Sequence, residues 1–470
     1  MSTTRRGFIA GAAAASVLPG PRLLGAQSRG QRPNILMLFP DQLRFDWTGL
    51  NSSLGVRTPN VKWLASRGTQ FTRAVVGSPL CAPSRACIAA GKEYARCGVK
   101  DNKDNYPLAQ TTFYSLLREG GYHVMGCGKL DLHKGTLDWG LDGRRLIKEW
   151  GFSDAIDNAG KMDAFASGKT EPKDPYMAML YRRKLARMHL DDLESRRGNH
   201  NATHATPLPE DAYCDNWIGQ NGLDLLREAP KDKPWFLVAN FTGPHSPLDI
   251  TKRMEATVRG RQYPQPSQSA ELSNTEHVAI RQNYTAMVEN IDRWVGIYID
   301  QLRKRGELDN TLIVFSSDHG EMLGDHNRWG KTVPYQPSVG VPLVVAGPGV
   351  EKGKTSDAMV SLVDMAATFL DYSNLPRPKD MDSRSLRPLL EGKTATHRQH
   401  LLSALAPWSM AWDGNYKLVR GFATGERRRP APGGDGPGTL LFDVKQDPSE
   451  SRDLSAKLPD QVGRLQRLLG

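Results

Sequence analysis

Five short apolar runs are spaced along the chain: Asn34 to Phe39, Tyr122 to Met125, Trp235 to Asn240, Thr311 to Phe315 and Pro342 to Val345. They are rich in β-branched and aliphatic residues, continuous rather than alternating, and separated by helical patterns. That is how strands buried on both faces read, so the pattern predicts a mainly parallel sheet covered by helices, an α/β fold. In open sheets of this kind reactive groups gather just beyond the carboxyl ends of the strands. Asp41 and Gln42 follow the first run, Lys129 the second, His245 the third, and Asp318 and His319 the fourth. One shared site accounts for all four placements, where independent accidents would scatter them through loops and helices.

Between the third and fourth runs, Tyr284, Met287, Ile291, Trp294, Tyr298 and Leu302 recur at helical spacing across Arg281 to Arg305, and Gly306 follows as a C-terminal stop. This stripe reads as core. Residues 140–230 are rich in Gly, Asp, Lys and Arg and carry a helix-like basic run, Tyr181 to Met188. They are expected to form an insertion over the face that carries the site, where loops set substrate choice; a solvated helix is the other reading of the run. Beyond Pro388 two strand-like segments, Asn415 to Arg420 and Leu440 to Val444, flank a Gly/Pro-rich connection over 425–438 that is expected to be a flexible loop, and a closing helix follows. The pattern predicts a main domain over residues 33–388 and a small subdomain with an antiparallel sheet over 389–470.

The first residues differ from the rest. Thr4-Arg5-Arg6-Gly7-Phe8-Ile9 precedes an Ala-rich apolar stretch and Leu24-Gly25-Ala26, a segment that resembles a twin-arginine export signal cleaved after Ala26. The apolar stretch is too short for a stable membrane span. The resemblance implies the twin-arginine export machinery as a partner and a periplasmic or secreted destination. Removing Arg5, Arg6 and Arg22 with the signal takes the formal net charge from +11 to +8. A basic surface concentrates polyanions, although dispersed charge also serves solubility alone. Basic residues are spread rather than gathered in a stripe and no nucleic-acid module is visible, which argues against nucleic-acid binding. Besides Cys81, Cys87, Cys97, Cys127 and Cys214 allow one or two disulfides after export, in pairings that the sequence leaves open.

The chemistry concentrates in residues 78–91. Pro83 suits a first helical turn, the run Ser84 to Ala90 continues it, and Gly91 stops it, so Cys81 is expected at a helix N-terminus where free N–H groups favour a thiolate or a tetrahedral oxyanion. Arg85, one turn on, adds a positive charge. A lone cysteine in such a place is ordinarily buried and inert. Here, however, Cys81, Pro83, Ser84 and Arg85 form a C-x-P-S-R core closed by Gly91, and this resembles the sulfatase signature. Phe315 to His326 resembles the second sulfatase signature region, and Leu441 to Glu450 resembles sulfatase C-terminal ends.

The resemblance implies the alkaline-phosphatase-like fold, and a formylglycine made from Cys81 by a formylglycine-generating enzyme, whose hydrated aldehyde is the nucleophile. It implies that Lys129 and Lys331 bind sulfate, that Arg85 holds the hydrate and the metal ligands, and that His245 contacts sulfate and protonates the leaving oxygen. Asp41, Gln42 and Asp318 offer oxygen donors suited to a hard divalent cation, with His319 and residue 81 completing the set. The resemblance favours Ca2+, while Mg2+ and Mn2+ also suit these donors. Two departures stand out. Relatives commonly have Asp-Asp where this chain has Asp41-Gln42. Many also place a histidine two residues after the first lysine, where this chain has Asp131, and His133 is the candidate to supply that imidazole.

The reading is an exported sulfuric ester hydrolase acting on sulfated small molecules or glycans, with carbohydrate preferred because the chain is basic, carries an export signal and has a large insertion. A phosphonate or phosphate ester hydrolase with the same site is the nearest rival. A non-catalytic glycan-binding protein has no need of an oxidisable cysteine, and a catalytic thiolate finds no histidine in a cysteine-protease context.

Overall fold

The structure, a computed structural model, describes Met1 and residues 32–199, 201–422 and 438–469. Its strands are β1 (Asn34–Asp41), β2 (Gly68–Phe71), β3 (Ala74–Val75), β4 (His123–Gly128), β5 (Asp154–Asp157), β6 (Trp235–Pro244), β7 (Thr311–Phe315), β8 (Leu343–Ala346), β9 (Lys354–Ser356), β10 (Val360–Ser361), β11 (Leu401–Leu405), β12 (Trp408–Trp412), β13 (Tyr416–Arg420) and β14 (Thr439–Asp443). Eight of them form one sheet in the order β5-β4-β6-β1-β7-β8-β2-β9. β5, β4, β6, β1 and β7 are mutually parallel.

Side chains of β1 divide between two cores. Ile35, Met37 and Phe39 face one, together with Ala86, Cys87 and Ile88 of the helix Cys81–Ala90. Leu36 and Leu38 face the other, together with Ile291, Trp294, Tyr298 and Leu302 of the helix Asn274–Arg305. Burial on both sides explains why these strands read as unbroken apolar runs. β11 to β14 form an antiparallel sheet whose Leu401, Trp408, Met410 and Val419 belong to the first core.

Several expectations change. The fifth run, β8, lies antiparallel to β7. The chain leaves β7 at its carboxyl end and returns to that same end, with the 3-10 turn Asp325–Asn327 and the four-residue helix Gln336–Val339 on the way, too little for a crossover. The long helix starts at Asn274, seven residues earlier than expected, behind a capping box of Ser273 and Glu276. The basic run is broken: one helix ends at Arg182, Lys184 takes φ 59°, and the next begins at Ala186. Leu185 N–H donates to Leu180 C=O across that break, closing the helix end. β11 and β12 were not foreseen. All five cysteines are buried free thiols. The export signal over 1–26 and the connection over 425–438 lie outside the described residues, Met1 and Gly438 excepted. Among the described residues no helix is long and apolar enough to cross a membrane.

Candidate active site

The carboxyl ends of β4, β6, β1 and β7, neighbours in the sheet, deliver Lys129, His245, Asp41 and Asp318 to one place. Cys81 reaches it as the first residue of the helix Cys81–Ala90, which Gly91 ends in the left-handed region with φ 63°. The helix start donates less to a ligand than expected: Ala82 N–H is taken by Asn102 Oδ1 at 3.0 Å, Ser84 N–H by Leu80 C=O at 2.8 Å, and Pro83 has none. Positive charge at the site therefore comes from side chains.

Arg85 is the hub. Its guanidinium donates to Asp318 Oδ2 (3.0 Å), Lys129 C=O (2.6 Å), Asn240 Oδ1 (2.8 Å) and Asp41 Oδ2 (3.4 Å). A planar five-donor fork can serve four acceptors in this way, and an ammonium cannot. Ser84 Oγ donates to the Asp318 carbonyl at 2.5 Å, tying the same helix to the segment that follows β7. Lys129 Nζ is ion-paired with Asp41, and its backbone N–H donates to Asn240 C=O at 3.2 Å. That close approach requires Gly128: its φ is +93°, and a Cβ there would lie 2.0 Å from the Asn240 oxygen.

Asp41, Cys81, Asp318 and His319 are buried, and one ligand atom from each lies within 4.8 Å of the others. His319 Nδ1 lies 3.1 Å from Gly320 C=O, an acceptor, so Nδ1 carries the proton. Nε2 is then free to bind, 3.3 Å from Cys81 Sγ and 3.6 Å from both carboxylates. Two carboxylates, one imidazole and residue 81 fit a hard or borderline divalent cation. Gln42 sits beside them with φ 68°; its N–H donates to Asp318 Oδ1 at 3.0 Å. Its side-chain carbonyl accepts from Lys331 Nζ at 2.5 Å and its amide donates to Glu321, so it joins the ligand cluster to Lys331. Lys331 Nζ also lies 2.6 Å from His245 Nε2, and His245 Nδ1 lies 2.6 Å from Ser246 C=O. Ser246 C=O thus takes the Nδ1 proton of His245, and Nε2 faces the Lys331 ammonium. Behind it, Asp215 accepts from Thr242 and Gly243 N–H and fixes the end of β6.

Electrostatics follow from this packing. Burial and a thiolate at Cys81 push the Asp41 carboxyl up, but Lys129, His245 and Lys331 together override both and hold it well below the ordinary range. Burial likewise opposes ionisation of Cys81, yet Lys129, Lys331, Lys134 and His319 bring its thiol well below the usual value. Burial would discharge Lys129, while Asp131, Asp41 and Cys81 raise it instead.

His133 stands apart from this cluster. It is fully buried, stacked on Trp150 at 5.0 Å and beside Trp139, and neither ring nitrogen has a hydrogen-bond partner. Burial pushes its pKa down to about 4. Asp131 is instead the residue at the site: its Oδ2 lies 3.3 Å from Lys129 Nζ and 3.1 Å from Lys134 Nζ.

Gln42, Lys129, His245 and Lys331, which border the ligand cluster, line a cavity of about 1070 Å³. Lys161, Met162 and Asp163, from the helix Gly160–Ser167 within the predicted insertion, form part of its wall with Lys103, Arg328 and Trp329. Sequence reasoning missed Asn102, Asn240, Glu321 and Lys134. Asn240 ends a predicted strand, and Glu321 lies in the segment that follows β7, so the strand-end rule reaches both.

The sulfatase family profile matches residues 33–375, and the profile described as N-sulphoglucosamine sulphohydrolase, C-terminal, matches residues 324–428. An arylsulfatase of Clostridium perfringens is 28% identical over 93% of this chain and 94% of its own. An N-acetylglucosamine-6-O-sulfatase of Bacteroides thetaiotaomicron is 27% identical over 78% of this chain and 72% of its own. The crystal structure of a phosphonate monoester hydrolase of Agrobacterium radiobacter superposes with a TM-score of 0.76 at 22% identity, covering 93% of this chain and 95% of that one. The parallel sheet with its C-terminal antiparallel sheet is the alkaline-phosphatase-like architecture.

Proposed function

The chain belongs to the sulfatase family, and from that premise we propose an exported, formylglycine-dependent enzyme that removes sulfate from sulfated carbohydrates. The observation that carries the reading is that Lys129, Lys331 and His245 line one cavity beside the buried cluster of Asp41, residue 81, Asp318 and His319, with Arg85 tying Lys129 to both carboxylates. A sulfate monoester needs a nucleophile, positive charge around its oxygens and a proton for the leaving alkoxide. Formylglycine at position 81, made by a formylglycine-generating enzyme, would supply the nucleophilic hydroxyl.

A divalent cation, by family resemblance Ca2+, would be held by Asp41, Asp318, His319 and residue 81 with Gln42 beside them, and would supply Lewis acidity there. Lys129 and Lys331 hold the sulfuryl oxygens. Arg85 fixes the two carboxylates and the Lys129 backbone. His245 is placed to pass the leaving-group proton: its Nε2 takes that proton from the Lys331 ammonium 2.6 Å away and gives it to the departing oxygen, so the alkoxide gains the proton that Lys331 loses. The volume of the cavity, above that of a sulfate group alone, and its insertion-derived wall suit a saccharide. The similarity to a carbohydrate sulfatase supports the same choice. Export by the twin-arginine route to the periplasm or medium rests on Thr4 to Ala26.

Similarity of fold to a phosphonate monoester hydrolase keeps that ester class as the second reading. Release of inorganic sulfate from a panel of sulfated saccharides, read by ion chromatography, tests the proposal, with 4-nitrophenyl sulfate, phosphate and phenylphosphonate compared on one preparation. Sulfate esters are expected to be the best substrates. A superior phosphonate ester would transfer the assignment to the second reading.

A further inference from the structure

Asp131 Oδ2 carries two ammoniums, Lys129 at 3.3 Å and Lys134 at 3.1 Å. Lys129 belongs to the floor. Lys134 is almost fully buried, yet it lines the same cavity. Its second partner is Asp163 Oδ2 at 2.8 Å, on the helix Gly160–Ser167 that forms part of the cavity wall. Asp131 and Asp163 occupy two of the three ammonium donors, which leaves one N–H. The charge of Lys134 is also felt at position 81, alongside those of Lys129 and Lys331.

We propose that Lys134 is a third substrate-contacting ammonium, held by Asp131 and Asp163 so that its remaining donor reaches an oxygen of the sulfate ester. This rests on the sulfatase reading and deepens it by adding a residue to the substrate site. The tether explains why a lysine is buried there: two carboxylates hold it in one orientation, so little side-chain freedom is lost when substrate binds. A lysine that merely ties the wall to the floor would stabilise the fold and leave substrate affinity alone.

The experiment compares wild type, Lys134→Met, Lys134→Arg and the double variant Lys134→Met/Asp131→Asn, which removes both charges of the inner pair and so does not strand a buried carboxylate. KM and kcat for 4-nitrophenyl sulfate are measured, together with the affinity for inorganic sulfate from the concentration dependence of thermal stabilisation. The expected result is a rise in KM of about tenfold or more in both Met variants, a matching loss of sulfate affinity, a smaller change in kcat, and recovery to within about threefold of wild type in Lys134→Arg. A KM and sulfate affinity within about twofold of wild type in either folded Met variant overturns the proposal, whatever the change in thermal stability. If wild type releases no sulfate from any ester, the sulfatase reading fails by itself, and the sulfate-affinity comparison still decides whether Lys134 contacts the anion.

Discussion

Arg85→Lys keeps the charge between Asp41 and Asp318 and changes only the shape of the donor. In the structure the guanidinium serves Lys129 C=O at 2.6 Å and Asn240 Oδ1 at 2.8 Å besides the two carboxylates. A lysine ammonium drawn between Asp41 and Asp318 cannot reach either neutral acceptor. Each buried acceptor left without a donor costs roughly 1–3 kcal/mol. Two of them give about 4 kcal/mol, a large share of the net stability of an ordinary domain.

The same loss frees the carbonyl of Lys129, whose side chain is expected to hold the sulfuryl group. A displacement there of about 1 Å costs on the order of a hundredfold in rate. Guanidinium unfolding and initial rates of sulfate release on the purified variant measure both effects. Arg85→Met, which also takes a buried positive charge away from both carboxylates, should be worse than Arg85→Lys on both counts. A lysine variant within about 1 kcal/mol of wild type in stability and about threefold in kcat would refute the claim that the fork geometry, rather than the charge, organises the site.

Other consequences are equally direct. His133 is buried and neutral with a pKa near 4 against 6.5 for the free side chain; the unfolded chain takes up its proton first, so stability falls as pH drops from 6.5 toward 4, by about 3 kcal/mol for this group, and His133→Phe should flatten that part of the stability curve measured by denaturant titration. Gly128→Ala places a Cβ 2.0 Å from the Asn240 oxygen at a φ of +93°, and should lower the unfolding midpoint by the equivalent of about 3 kcal/mol while displacing Lys129. Dialysis against a chelator should remove activity and lower the melting temperature, and Ca2+ at about a hundred times its Kd should restore roughly 2.7 kcal/mol; an unchanged melting temperature and rate after complete metal removal would count against the cation site.

The candidate site was largely legible because strand-end placement is a one-dimensional signal. Asp41, Lys129, His245 and Asp318 each lie within three residues of a strand's carboxyl end, and the parallel order of the sheet brings those ends together. What escaped depended on three-dimensional packing. The direction of β8 is set by how the chain returns from the loop carrying His319 and Lys331, and an apolar run has no polarity of its own. His133 was drawn toward the site by its spacing from Lys129, but Trp139 and Trp150 take its ring into the core. Lys134 was invisible because its meaning comes from Asp163, twenty-nine residues on, across the cavity wall. The start of the long helix at Asn274 is legible in the sequence, since Ser273 at the N-cap and Glu276 at the third helical position spell a capping box.

We propose that Cys81, at the head of its helix and beside His319 and Asp41, is converted to formylglycine, a hydroxyl of whose hydrate attacks sulfur. Peptide mass spectrometry of position 81, on a preparation whose sulfate release has been measured, tests it most directly. The predicted result is formylglycine or its hydrate at position 81 in an amount that tracks specific activity across preparations, and no turnover in Cys81→Ala. Fully active protein with only unmodified cysteine at position 81 would contradict it.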